Sequence, residues 1–133
     1  MNSNTTKHRN SIYCTWRHRY VCLTPEEWVR QQVLHLLVDR WHYPSGRIAV
    51  EVTIANKRVD AIIYDAKGAP WMLLEFKAEH VILSQQTLDQ IAVYNRQLHT
   101  PYLLLSNGHK TIVAQVNEDT LEFLDTFPRY EEL

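Results

Sequence analysis

Several things are missing from this 133-residue chain, and each absence closes off a class of function. No apolar run approaches the roughly 18 residues that a membrane span requires. The opening stretch MNSNTTKHRNSIYC lacks the apolar core of a secretory signal. Two cysteines, Cys14 and Cys22, are too few and too isolated for a zinc framework, and nothing points to an oxidising compartment. The seven histidines are scattered, without H-x-x-x-H or other metal spacing. No G-x-x-x-x-G-K-[ST] phosphate loop occurs. Repeats and linker-like stretches are absent too. The expectation is one soluble cytoplasmic domain, residues 1–133, around one hydrophobic core.

An overall positive charge, common among DNA-binding modules, is also lacking: the net charge is -1. Its distribution is uneven. Through Asp60 there are nine Lys/Arg and five Asp/Glu, a balance of +4; from Ala61 onward there are five and ten, a balance of -5. A basic first half can follow a phosphate backbone while an acidic tail, from about 117, stays clear of it. A charge asymmetry with no partner is the competing explanation.

What is present is a sequence of clear local signals. Residues 1–11 are polar and expected to be disordered; Ile12 to Leu23 reads as an extended segment. Thr24, Pro25 and Glu27 form a helix start, with Glu27 at the position that closes a capping box. Val29, Val33, Leu36, Leu37 and Trp41 recur at helical spacing, and YPSG stops the helix. RIAVEVTI (47–54), KRVDAIIYD (57–65) and WMLLEFKA (71–78) read as strands, the last two joined as a hairpin through AKGAP. Ser84 caps a second helix running to about His99 and ended by Pro101. YLLLS and TIVAQV follow as strands, then a short helix or loop. The order, αβββαββ, predicts an α/β fold with a mixed central sheet flanked by helices.

Three charged residues interrupt this apolar frame. Glu75 and Lys77 leave one face of their strand, since they are two residues apart. If Lys67-Gly68 is a two-residue hairpin loop, Ala66 faces Ala69, and counting back places Asp60 opposite Glu75. A bulge or an odd-length turn is expected to destroy this register. Two close carboxylates repel unless a cation sits between them. Mg²⁺ fits: it prefers oxygen, keeps waters on an incomplete protein shell, and acidifies a bound water for attack on a phosphodiester. Lys77 is placed to orient that water or to neutralise the phosphate. A Glu-x-Lys triplet is common by chance, and an exposed ion pair explains it equally well.

Asp60 followed by Glu75-Phe76-Lys77, between two helices, resembles the PD-(D/E)XK nuclease superfamily with its restriction-endonuclease-like core. Gln90 and Tyr94, at i and i+4 in QIAVY, are similar to the Q-x-x-x-Y motif of RecB-type nucleases. YVCLTPEEWVRQQVLHLL, KRVDAIIYD, LLEFKA, QIAVYN and LLLSNG together resemble type I restriction enzyme R-subunit N-terminal domain proteins, over residues 12–117. The resemblance implies metal ligation by Asp60, Glu75 and the Phe76 carbonyl. It makes Lys77 the catalytic lysine, with Gln90 and Tyr94 positioning it or the nucleic-acid backbone. A further acid is often contributed by the first helix, for which Glu27 is the candidate, although capping explains it too; Glu51 is a second candidate, or a residue of a solvated sheet face. The implied activity is Mg²⁺-dependent hydrolysis of DNA, with Mn²⁺ as substitute. The alternative is a catalytically silent nucleic-acid-binding module acting with other protein subunits.

Arg17, Arg19, Arg30 and Arg58 are candidate phosphate contacts, because the guanidinium fork matches phosphate oxygens. On a regular strand Arg58 shares the face of Asp60 and is expected to be able to hold that carboxylate instead. His80 is a candidate to line the cleft. The four tryptophans are read as packing residues before base-stacking ones. The length leaves no room for a helicase motor, so translocation on DNA is not expected of these residues.

Overall fold

A computed structural model describes residues 10–118 and 120–130. A hairpin of β1 (Ser11–Cys14) and β2 (Arg19–Cys22) comes first, then helix α1 (Pro25–Asp39) and a short 3₁₀ turn at Ser45–Arg47. Strands β3 (Ile48–Ile54), β4 (Lys57–Tyr64) and β5 (Pro70–Phe76) lead to α2 (Gln85–Leu98). Then come β6 (Tyr102–Ser106), β7 (Thr111–Asn117) and β8 (Thr120–Leu124). The strands from β3 onward form one six-stranded sheet in sequence order. All its pairings are antiparallel except β5 with β6, which the α2 crossover makes parallel. This is the α/β architecture expected, a mixed sheet between two helices, consistent with a restriction-endonuclease-like core.

Each helix covers one face. Val29, Val33, Leu34 and Leu37 of α1 pack on Ala61, Ile63, Met72, Leu74 and Phe76, while Ile91 of α2 packs on Val59, Ile62, Leu73, Leu103 and Leu105. The central strands β4 to β6 are therefore apolar on both sides, as a doubly covered sheet demands. The ends of α1 and α2 are fixed by side chains. The Thr24 hydroxyl accepts the Glu27 N–H at 3.1 Å, with Pro25 following it. At the far end of α2 the helix stops before Pro101, because His99 takes the left-handed conformation (φ 55°). The buried Asn95 side chain then donates to the Thr100 carbonyl (2.9 Å) and accepts the Thr100 N–H (3.0 Å).

Two expectations are corrected. The extended segment at 12–23 is a complete hairpin, and the acidic stretch after Val116 is no tail: it supplies β8, paired to β7, and aromatic residues that pack on the core. Tyr130 stacks edge-on against Trp71 at 5.1 Å and donates to the Tyr64 carbonyl at 2.8 Å. Phe127 meets Trp41 at 5.0 Å. Leu121, Phe123 and Leu124 have too few apolar neighbours in sequence to stand out as a strand among the acidic residues around them. The expected disorder at 1–11 falls almost wholly outside the described residues; Ser11 begins β1.

The β4–β5 turn is the third correction. Its loop has three residues, not two: the Asp65 N–H donates to the Ala69 carbonyl (2.8 Å), and the Asp65 carboxylate accepts the Lys67 and Ala69 N–H groups (2.9 Å each). Gly68 takes φ +85°, the left-handed position such a loop needs. This shifts the register by one. A bulge then shifts it back: Tyr64 pairs with Pro70 but Ile63 with Met72, leaving Trp71 as the extra residue. The two irregularities cancel, and Ala61 pairs with Leu74. One residue further, Asp60 comes level with Glu75, as the simpler count required.

Asn95→Ala removes the three side-chain bonds between α2 and Thr100, just ahead of β6, and leaves the buried Thr100 N–H without its acceptor. An unsatisfied buried group costs roughly 1–3 kcal/mol, so the urea midpoint of this variant is expected to fall with the slope unchanged.

Candidate functional site

The register set by the turn and the bulge, together with the cap of α1, brings charged residues to one place, the end of β5 beside the start of α1. A cavity of about 600 Å³ opens there, lined by Asp60, Glu75, Phe76 and Lys77 together with Glu27, Arg30, Glu51, Arg17 and residues of β2. His80 is exposed at its rim.

Asp60 and Glu75 are both half-buried, and their carboxyl groups lie within hydrogen-bonding reach of each other. The Phe76 N–H donates to Asp60 Oδ2 at 2.8 Å, which fixes that carboxylate across the strand boundary. Burial pushes the Glu75 pKa up to about 8. The neighbouring Asp60 carboxylate adds to this through its hydrogen bond and its charge, while Lys77 pulls the other way. Glu75 thus keeps its proton at neutral pH. Lys77 lies just past β5, held by its own N–H to the Ser106 carbonyl (2.9 Å). A pair of carboxylates sharing one proton is chemically an incomplete cation site: the proton relieves the repulsion that a bound cation would relieve. Asp60, Glu75 and the Phe76 carbonyl are the groups here with the hard oxygen donors that Mg²⁺ takes.

The additional acids have other partners. Glu27 is 4% exposed, and its carboxylate does not return to the Thr24 N–H, which donates to the Cys22 carbonyl instead (3.1 Å). The capping box is therefore half a box. Glu27 accepts from Arg30 Nε (3.1 Å) and Nη2 and from Gln31 Nε2 (3.1 Å). Arg17 Nη2 is 2.6 Å away as an ion pair. Burial alone raises the pKa of this group, but the hydrogen bonds from Arg30, Arg17 and Gln31 outweigh it and bring it down to about 2. Glu51 is held by Arg30 (3.0 Å), by Arg58 and, at 3.7 Å, by Arg17. Among the described residues no three His, Cys, Asp or Glu side chains come together as a metal cluster. Arginines take up the carboxylates of Glu27 and Glu51, so neither stands as a third acid beside Asp60 and Glu75.

Glu51 also has φ 54°, an unusual value inside a strand. It is the position skipped between the Val50–Ala61 and Val52–Val59 pairs, opposite Asp60. Across it the alternation of β4 slips: Val59 and Ile62, three apart, pack on the same side. A left-handed glutamate costs on the order of 1–2 kcal/mol, and its arginine contacts hold it. No periodicity rule signals such a kink.

The other candidates are dispersed. Arg17 and Arg30 line the cavity but are engaged by Glu27 and Glu51, and Arg30 Nη1 also donates to the Asp60 carbonyl (3.3 Å). Arg58 pairs with Glu51, not with Asp60, because the strand is not regular there. Arg19 is exposed on β2. Gln90 is exposed on α2 and Tyr94 half-buried, its ring 5.6 Å beneath the Lys57 ammonium. Neither is among the residues lining the cavity. Trp71 is packed among Tyr43, Tyr102 and Tyr130, whereas Trp28 is 41% and Trp41 40% exposed.

The two shifted glutamates bias stability in opposite pH windows. The depressed Glu27 contributes stability that is present above its ordinary value of 4.5 and lost as pH falls toward about 2. The raised Glu75 contributes stability that is full below 4.5 and lost as pH rises through about 8. In urea unfolding across pH, Glu75→Gln is expected to flatten the decline between pH 5 and 8 (the window set by that shift). Glu27→Gln leaves arginines unpaired and costs roughly 3–5 kcal/mol near neutrality; a loss under about 1 kcal/mol contradicts the buried-pair account.

Residues 25–128 match the family model described as type I restriction enzyme R protein N terminus. No curated protein matches the chain. Among the described residues no helix is long and apolar enough to cross a membrane. With a matched stretch that takes in α1, the whole six-stranded sheet and every carboxylate of the cavity, the chain belongs to the type I restriction enzyme R protein N-terminal family.

Proposed function

We propose that the cavity is a metal-dependent phosphodiesterase site of the PD-(D/E)XK type, acting on DNA. The single observation that carries this reading is the Asp60–Glu75 carboxyl pair beside Lys77 in one cavity. Family membership supports it at the coarser level of a nuclease-related domain.

In this reading Asp60, Glu75 and the Phe76 carbonyl hold Mg²⁺, or Mn²⁺ in its place. When bound, the ion supplies Lewis-acid polarisation of the scissile phosphate and lowers the pKa of a coordinated water. The chain's own residues do the rest. The Phe76 N–H keeps Asp60 oriented. Glu75, protonated near neutrality, would have to release that proton to serve with Asp60 as a ligand. Lys77, anchored through Ser106, presents its ammonium beside them; it orients the attacking water and offsets charge on the phosphate. Arg17 and Arg30 place positive charge along the wall, although Glu27 and Glu51 share it.

A second reading has its own observation. Gln90 and Tyr94 stand away from the cavity lining, and the net charge is -1, which favours a binding module that works with other subunits. The experiment is a metal titration of wild type, Lys77→Ala and Asp60→Ala against plasmid and single-stranded DNA. Expected is cleavage that requires Mg²⁺ or Mn²⁺ and falls at least about 10²-fold in Lys77→Ala. Cleavage surviving both substitutions sinks the assignment; salt-dependent binding without cleavage in any metal selects the second reading. Calorimetry gives a readout apart from activity: Mg²⁺ affinity is expected to rise with pH and level off above about 8, and to vanish in Asp60→Ala.

A further inference from the structure

Two neighbouring strands of the sheet turn over at the same step. Ile48 and Val50 of β3, with Ala61 and Ile63 of β4, pack in the core on the α1 side. Val52 and Ile54 of β3, with Val59 of β4, pack in the core on the α2 side. Alternate residues of a regular strand share one face, so both strands change faces between these groups. The residues at the turnover are Glu51 and Asp60, opposite each other between the Val50–Ala61 and Val52–Val59 pairs. Of the two, Glu51 has the positive φ, 54°. One guanidinium holds both: Arg30 of α1 donates to Glu51 Oε1 at 3.0 Å and to the Asp60 carbonyl at 3.3 Å. The consequence falls on Asp60. On a regular β4 its side chain would point with that of Ile62 into the apolar layer beneath α2. It lines the cavity instead, beside Glu27 and Arg30 of α1. The β4–β5 pairing ends at Ala61–Leu74, and past that point the Asp60 carboxylate takes the Phe76 N–H at 2.8 Å.

We propose that Glu51 is a positioning residue: its left-handed backbone turns β3 and β4 over together and so aims the Asp60 carboxylate into the cavity. The proposal rests on the reading of Asp60 as a working carboxylate of that site and adds what aims it. A left-handed backbone is unfavourable for a residue with a Cβ, most of all for a β-branched one. It persists only where the surroundings over-determine it. Arg30, Arg58 and Arg17 supply that constraint by gathering on the Glu51 carboxylate. A bulge on an edge strand, which β3 is within the described sheet, can also serve only to guard the edge against pairing with another chain. Such a guard requires nothing of the facing residue, whereas here the turnover and the Asp60–Phe76 bond occur together.

The test is a charge-matched series, Glu51→Gly, Glu51→Ala and Glu51→Val. All three remove the same carboxylate, while the left-handed conformation is easy for the first, harder for the second and hardest for the third. The readout is the Phe76 amide signal in heteronuclear NMR spectra of the full chain in EDTA. Asp60→Ala marks where that signal falls once the bond is gone. In Glu51→Gly the signal is expected to stay near its wild-type position. In Glu51→Val it is expected to move most of the way to the Asp60→Ala position, with Glu51→Ala between the two. Calorimetry is expected to show Glu51→Gly binding Mg²⁺ roughly five- to hundredfold more tightly than Glu51→Val. A Phe76 signal that coincides in Glu51→Gly and Glu51→Val overturns the proposal. At the wild-type position it makes the turnover merely structural; at the Asp60→Ala position it assigns the aiming to the arginine contacts alone. If Glu51→Val does not fold, Glu51→Ala takes its place, and a signal coinciding with that of Glu51→Gly overturns the proposal. Self-association of Glu51→Val with the Phe76 signal unmoved also overturns it, leaving an edge guard. A wild type that binds no Mg²⁺ while the amide series behaves as expected refutes the metal reading and leaves the aiming of Asp60 standing.

Discussion

A carboxylate that is almost wholly excluded from water must find several donors or lose its charge. Glu27 keeps its charge, and the way it does so organises the neighbourhood. Arg30 reaches it from the next turn of the same helix, Gln31 from one residue further, and Arg17 from the loop between β1 and β2. The same Arg30 extends to Glu51 on β3 and to the Asp60 carbonyl on β4. Hairpin, helix and sheet are joined at this corner by one charged network. Each guanidinium in the network faces a carboxylate along the cavity wall.

The network also separates two kinds of acid that look alike in the sequence. Glu27 and Glu51 are surrounded by arginine and stay ionised; Glu75 is surrounded by burial and another acid and holds its proton. Environments that push similar groups apart in this way are a mark of functional sites, though structural ion pairs produce shifts as well. Here both kinds occur within one cavity, the first holding its shape and the second leaving a site whose charge is unbalanced.

The elements themselves were legible because their signals are local: Thr24-Pro25 starts a helix, β-branched runs make strands, Ser84 caps α2. The order αβββαββ announced a mixed sheet flanked by helices. What escaped was whatever depends on distant partners. The left-handed Glu51 is held by three arginines, from the β1–β2 loop, α1 and β4, and no rule of alternation contains it. Glu27 looked like a capping residue because its position is one, yet its side chain obeys the buried charge of Arg30. The Gln90–Tyr94 pair was placed by analogy with a motif; helical spacing puts both on one side of α2 but says nothing of where that side points.

The hairpin between Asp60 and Glu75 arrived at the right pairing through two departures from regularity, a three-residue loop and the extra residue at Trp71. Together they act as a parity condition. Any insertion or deletion of one residue in this turn exchanges the two sides of β5, carrying Glu75 and Lys77 away from Asp60 and moving Leu74 from the α1 side to the α2 side. A change in the turn's length keeps this pairing only in even steps, or in odd ones matched at the bulge, and Trp71 is wedged among Tyr43, Tyr102 and Tyr130. The aromatic cluster at the far end of the strand is thereby the bookmark that keeps the charged end on its page.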